Sequence, residues 1–160
     1  MARRLRPVEL DFIDEAPVRL AFTARAAASP AAVYRALAEE VTGWPAWFRA
    51  VTLARPTRGG AGREIGLLGG VRFQETVVAA DPGLRYAYRV DETNVPGVRA
   101  LLEEWLLTPD GSGTVVRWTF AADGPAPFRL ALTAARPGLG QSFRTAVRTL
   151  DARLAARTGS

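Results

Sequence analysis

Between residues 58 and 113 the chain is cut by five clusters of turn-forming residues, and this punctuation constrains the fold more than any other feature. The clusters are Gly59-Gly60-Ala61-Gly62, Gly69-Gly70, Asp81-Pro82-Gly83, Asn94-Val95-Pro96-Gly97 and Pro109-Asp110-Gly111-Ser112-Gly113. Glycine opens the left-handed backbone region that tight turns use, while proline and Asx residues set the approach to it. The runs between them are too short for ordinary helices, and six strands are predicted, at 50–57, 63–69, 71–80, 84–91, 100–108 and 113–122. Connections this short join only antiparallel neighbours, because a parallel crossover needs about a dozen residues or more.

The flanks supply a further strand and the helices. Val18, Leu20 and Phe22 alternate within Pro17–Ala27 and predict the first strand. Residues 1–16 are mostly polar, with a brief alternation of Val8, Leu10 and Phe12 that reads as an extra edge strand or an arm lying on the sheet. Ser29-Pro30 opens a helix: serine accepts a first-turn amide, and proline gives up an N–H that would be unpaired there. Its buried side is Val33, Tyr34, Leu37 and Val41. After Thr42-Gly43, the aromatics Trp44, Trp47 and Phe48 fall at i, i+3 and i+4, on one face of a second short helix. Asp123-Gly124-Pro125 opens the C-terminal region, and Arg136-Pro137-Gly138 separates a shorter helix from a longer one. Leu139, Phe143, Val147, Leu150 and Leu154 form the apolar stripe of that last helix, and Gly159 suits its stop. The expected architecture is α+β: one domain over 1–160, with a seven-stranded antiparallel sheet curled around the long helix. A sheet wider than one helix leaves space beside it, and that space is the candidate site.

Composition narrows the chemistry of such a site. The 160 residues include no Cys and no His, and all 21 basic residues are Arg. Disulfides, thiolate nucleophiles, imidazole bases, Schiff-base lysines and the commonest metal ligands are thereby excluded. Any chemistry falls to Glu, Asp, Tyr, Arg, Ser, Thr or backbone; no cofactor is implied. No metal is expected either, since neighbouring acids such as Glu103 and Glu104 point to opposite faces of a strand. No run approaches the length of a membrane span and no signal-type apolar segment follows the N-terminal arginines, so a cytoplasmic protein is expected. A net charge of +5 raises the question of nucleic acid, but the arginines are scattered apart from Arg3, Arg4 and Arg6, and no nucleic-acid partner is expected. Nothing in the pattern sets an oligomeric state.

Strand parity names the residues that face the space. One side groups Phe73, Glu75 and Val77; others group Leu84, Tyr86, Tyr88 and Val90; Leu101, Glu103, Trp105 and Leu107; and Val116, Trp118 and Phe120. Phe143 points in from the long helix, and Trp44, Trp47 and Phe48 close one side. Glu75 and Glu103 would be carboxylates on an aromatic wall, and desolvation would raise their pKa into the range of proton donors and acceptors near neutrality. The alternative is that each pairs with an arginine. Similarly, the large aromatics serve either as ligand contacts or as core filler. No arginine clearly faces inward, and a one-residue bulge would reverse the parity on which these placements rest.

These residues also resemble a family. Ser29-Pro30-Ala31-Ala32-Val33-Tyr34-Arg35-Ala36-Leu37 and Trp44-Pro45-Ala46-Trp47-Phe48-Arg49-Ala50-Val51 are similar to the opening of START-like (SRPBCC) polyketide cyclase/dehydrase and lipid-transport proteins. Ala80 to Val90 and Leu107 to Trp118 resemble the same family's middle strands, and the similarity runs from about residue 18 to 156. The resemblance implies a helix-grip fold around a deep apolar cavity. It carries no universal catalytic residue; aromatase-type members are expected to bind and polarise ketones with Tyr, Arg and other polar groups.

Three functions are then open. The first is binding or transport of a small hydrophobic molecule, aromatic, polyketide-like or lipid-like, as an apolar cavity with a few polar groups suggests. In the second, a cyclase/dehydratase-type enzyme, Glu75 or Glu103 takes a proton beside a ketone while Tyr86 or Tyr88 hydrogen-bonds the enolate oxygen. The third is a regulatory or partner-binding domain.

Overall fold

The computed structural model describes residues 1–159. In chain order its elements are β1 (Arg3–Arg4), α1 (Phe12–Glu15), β2 (Val18–Ala26), α2 (Pro30–Tyr34), α3 (Trp44–Trp47), β3 (Val51–Thr57), β4 (Gly62–Leu67), β5 (Val71–Asp81), β6 (Arg85–Thr93), β7 (Ala100–Asp110), β8 (Gly113–Asp123), α4 (Ala126–Ala134) and α5 (Arg136–Thr158). All six strands of the central meander lie within two residues of the expected bounds. The sheet runs β2-β8-β7-β6-β5-β4-β3, antiparallel throughout, with β1 added alongside β6.

The arm lies on the sheet and also contributes a short strand. Its strand is Arg3–Arg4, paired with Glu92 and Thr93 of β6. The Val8, Leu10, Phe12 alternation instead turns into α1, where Val8, Phe12 and Ile13 bury themselves on Ala100, Leu102 and Ala121. This covers the outer face of β7 and β8 with a second small core. It also accounts for the unusual apolarity of both sides of β7. The N-terminal arginines fasten the arm: Arg3 donates to the Val95 carbonyl, Arg4 approaches Glu92, and Arg6 pairs with Asp123.

On the concave side α5 lies across the sheet, with Phe143, Ala146, Val147, Leu150 and Leu154 buried. A side chain at Gly140 would stand 3.1 Å from the Phe22 ring, so glycine permits the helix to approach β2 closely. Ser29 accepts the Ala32 amide at 3.2 Å and caps α2, which continues into a π-helical turn over Arg35–Glu39. From α5, Asp151 accepts the Ala27 and Ala28 amides at 2.8 and 2.9 Å, tying the turn before α2 to the long helix.

Two register shifts interrupt the β5–β6 pairing. Asp91 is the extra residue in β6, between the Glu75–Val90 and Gln74–Glu92 partners; Val78 is the extra residue in β5. Neither lies between Phe73 and Glu75 or between Tyr86 and Val90, so the parity of those residues survives. What the first bulge does reverse is the end of β6: Thr93, opposite Phe73, is buried, and Glu92 turns outward beside Arg4.

Candidate functional site

Between the concave sheet, α3, α4 and the start of α5 lies a cavity of about 490 Å³. Its size follows from geometry: α5 packs against β2, and α3 shields the middle, leaving much of the concave face from β3 to β8 lined but not filled. Ile65, Phe73, Leu101, Trp118 and Phe120 form the sheet wall, Trp44 and Phe48 the α3 wall, and Phe128, Leu132 and Leu139 the outer rim. Four polar residues reach this wall from adjacent strands: Arg63 of β4, Glu75 of β5, Tyr88 of β6 and Glu103 of β7.

Of the twelve residues expected to contact a ligand, eight line the cavity: Trp44, Phe48, Phe73, Glu75, Tyr88, Glu103, Trp118 and Phe120. Trp47, Tyr86, Trp105 and Phe143 are buried but do not line it. Trp47 turns toward Leu150 and Leu154 of α5. Trp105 and Phe143 stack behind Trp118, with ring centroids 5.7 and 5.8 Å from it, and act as core filler. The aromatic set thus divides by depth: the layer nearest the cavity is wall, and the layer beneath it is packing.

The expectation that no arginine faces inward is overturned. Arg63 is 2 % exposed, and its Nε donates to Glu75 Oε2 at 2.5 Å. Direct register partners on β4 and β5, the two residues necessarily share a face. The guanidinium lies 3.8 Å from the Tyr88 ring centroid and 4.5 Å from that of Trp44, so aromatic faces supply part of the solvation it has lost. Among the described residues its Nη1 has no hydrogen-bond partner of good geometry. Burial alone would weaken the cation's hold on its proton, but Glu75 and the phenols outweigh it and keep the guanidinium charged. Glu75 stays above the usual carboxylate value, because burial pushes it up and Arg63 pulls it only part of the way back.

Glu103 is held differently. Its Oε1 accepts from Trp118 Nε1 at 2.9 Å and from the Tyr88 hydroxyl at 3.1 Å, while that hydroxyl accepts from Trp105 Nε1 at 3.1 Å. Among the described residues no cation forms an ion pair with it. Burial, with Glu75 nearby adding to the effect, pushes its pKa up to about 7. Tyr88 is driven well above the usual phenol value by burial and by Glu103, and therefore remains a neutral donor. Of the two expected behaviours of a buried glutamate, Glu75 shows arginine pairing and Glu103 shows the desolvated carboxyl on an aromatic wall.

A curved antiparallel sheet gripping a C-terminal helix, with an apolar cavity between them, defines a helix-grip protein. Solved structures share this fold: a protein from Thermus thermophilus (21% identity, TM-score 0.68, covering 88% of this chain and 99% of the other), a START superfamily protein from Mycobacterium smegmatis (11%, 0.67, 86% and 97%) and the major latex-like protein of Panax ginseng (12%, 0.67, 85% and 96%). Residues 17–155 match the family described as polyketide cyclase / dehydrase and lipid transport, and the chain belongs to that family. No curated protein matches the sequence. Among the described residues no helix is long and apolar enough to cross a membrane.

Proposed function

We propose that this protein binds or carries a small hydrophobic molecule in the cavity beneath α4. The observation that carries this reading is the cavity itself: about 490 Å³ of space whose wall is apolar except at Arg63, Glu75, Tyr88, Glu103 and Ser142. A void of that size with aromatic walls and a few convergent polar groups is the usual form of a small-molecule site. An occupant would return the dispersion contacts that the lining otherwise lacks. Native mass spectrometry of the purified protein should detect a retained hydrophobe, and the neutral dye N-phenyl-1-naphthylamine should brighten on titration. Leu101→Trp, which fills the space from β7, should abolish the dye response while the fold persists. An empty protein that leaves the dye dark sinks the reading.

One observation favours a second reading, a cyclase/dehydratase-type enzyme. Glu103 lines the cavity with its pKa pushed up to about 7, where a carboxyl both takes and returns protons efficiently. In that case Glu103, not the arginine-bound Glu75, is the proton acceptor beside a ketone. Glu103→Gln should then fold normally and lose turnover of a poly-ketone, and unchanged turnover rejects the role.

A further inference from the structure

The charges around the cavity are settled among themselves before any ligand arrives. Arg63 is paired with Glu75 at 2.5 Å, and its guanidinium lies against the Trp44 and Tyr88 rings. Each member of the pair is about 2 % exposed, and both line the cavity as an ion pair whose charges cancel. Tyr88 spends its hydroxyl on Glu103. Glu103, at 7 % the most accessible of the four, has its Oε1 filled by Trp118 and Tyr88. Among the described residues it has no cation of its own. Every other residue on the wall is uncharged.

From this geometry we propose that the cavity selects electrically neutral hydrophobes and rejects their carboxylate counterparts, with Glu75 as the residue that sets the choice. The inference rests on the cavity being a ligand site. A carboxylate entering it would give up its water and find no uncompensated cation, because the cation on the described wall is already paired with Glu75. It would also lie near Glu103, which resists a second negative charge. A ketone, phenol or alcohol loses far less on entry, and a hydroxyl or carbonyl group has the remaining Glu103 oxygen to meet, as acceptor or, when protonated, as donor. Glu75 acts through Arg63: remove its charge and the guanidinium becomes an unsatisfied cation behind the wall, with Nη1 already lacking a partner.

The test compares two probes of the same ring system, 2-acetonaphthone and 2-naphthoate, as displacers of bound N-phenyl-1-naphthylamine at pH 8. In the wild-type protein the ketone should displace the dye at a concentration at least tenfold lower than the acid. Naphthoate displacing as well as the ketone, or better, overturns the proposal. In Glu75→Gln the ratio should shift by at least tenfold toward naphthoate, and an unchanged ratio in the folded variant removes Glu75 from the selection. The wild-type comparison stands whether or not that variant folds. Failure of the dye to bind at all strikes the ligand-site reading; dye binding with preference for the acid strikes this one alone.

Discussion

Glu103 meets folding at a cost that depends on pH. Its ordinary pKa near 4.5 applies in the unfolded chain, whereas burial lifts the folded value to about 7. Between those values the folded state holds the additional proton, so stability declines as pH rises through the interval and levels off above it. A rise of that size corresponds to about 3 kcal/mol. Glu103→Gln keeps an acceptor for Trp118 and Tyr88 and has no charge to bury. Urea unfolding should therefore find it close to wild type near pH 5 and more stable by up to about 3 kcal/mol near pH 9. A difference independent of pH would contradict this. At the neighbouring pair, Arg63→Ala strands a buried carboxylate and should cost about 3–5 kcal/mol. Replacing both partners, as Arg63→Met with Glu75→Leu, should cost much less than the single change, and a double-mutant cycle by denaturant unfolding measures the difference. Inward placement of Glu75 and Glu103 was legible from strand parity. Arg63 shares the face of Ile65 and Leu67 by the same period-two rule, but Gly62 and Gly66 dilute that strand's alternation and hide it. Which glutamate Arg63 would meet depends on register, and register is set by turns and bulges rather than by either residue.

Among the elements, strands and helices were read well because their signals are local. Turn chemistry located the six strands, and the Arg136-Pro137-Gly138 break marks the α4–α5 boundary, with the proline lying in the first turn of α5. In the arm, Val8, Leu10 and Phe12 alternate as a strand would, while packing on Leu102 and Ala121 draws the segment into a turn and a short helix. Tertiary contact overrode the local pattern. Phe12→Ala should therefore destabilise the protein by on the order of 3 kcal/mol, read as a lowered denaturation midpoint, although the residue is remote from the cavity. Asp151 is invisible in the sequence: an acid on the polar side of a helix looks solvated. In fact it accepts two amides from the β2–α2 turn, and Asp151→Ala should cost about 1–3 kcal/mol by leaving them unpaired.

For the whole molecule, two layers of side chains act on the two faces of one sheet. The arm covers the convex face at β7 and β8, and α3 and α5 fill part of the concave one, so the cavity lies where helix and sheet side chains do not meet. The presence of such a space follows from counting strands against helices. Its depth does not, because a few aromatic rings decide whether a gap is filled, and Trp105 and Phe143 lie on the filled side. The α4 helix has a different character from the rest. None of its nine residues is buried, yet Phe128 and Leu132 complete the cavity rim, and Leu130 is 73 % exposed. With so little surface hidden beneath it, α4 has a low free energy of local opening, while α5 opens only with the protein as a whole. Amide hydrogen exchange should consequently be fastest, among the longer helices, along Ala126–Ala134, and slow around Phe143 and Val147. A molecule seated against Phe128 and Leu132 would slow exchange in α4 selectively. The exchange rate of that stretch would then report what fraction of the molecules holds an occupant.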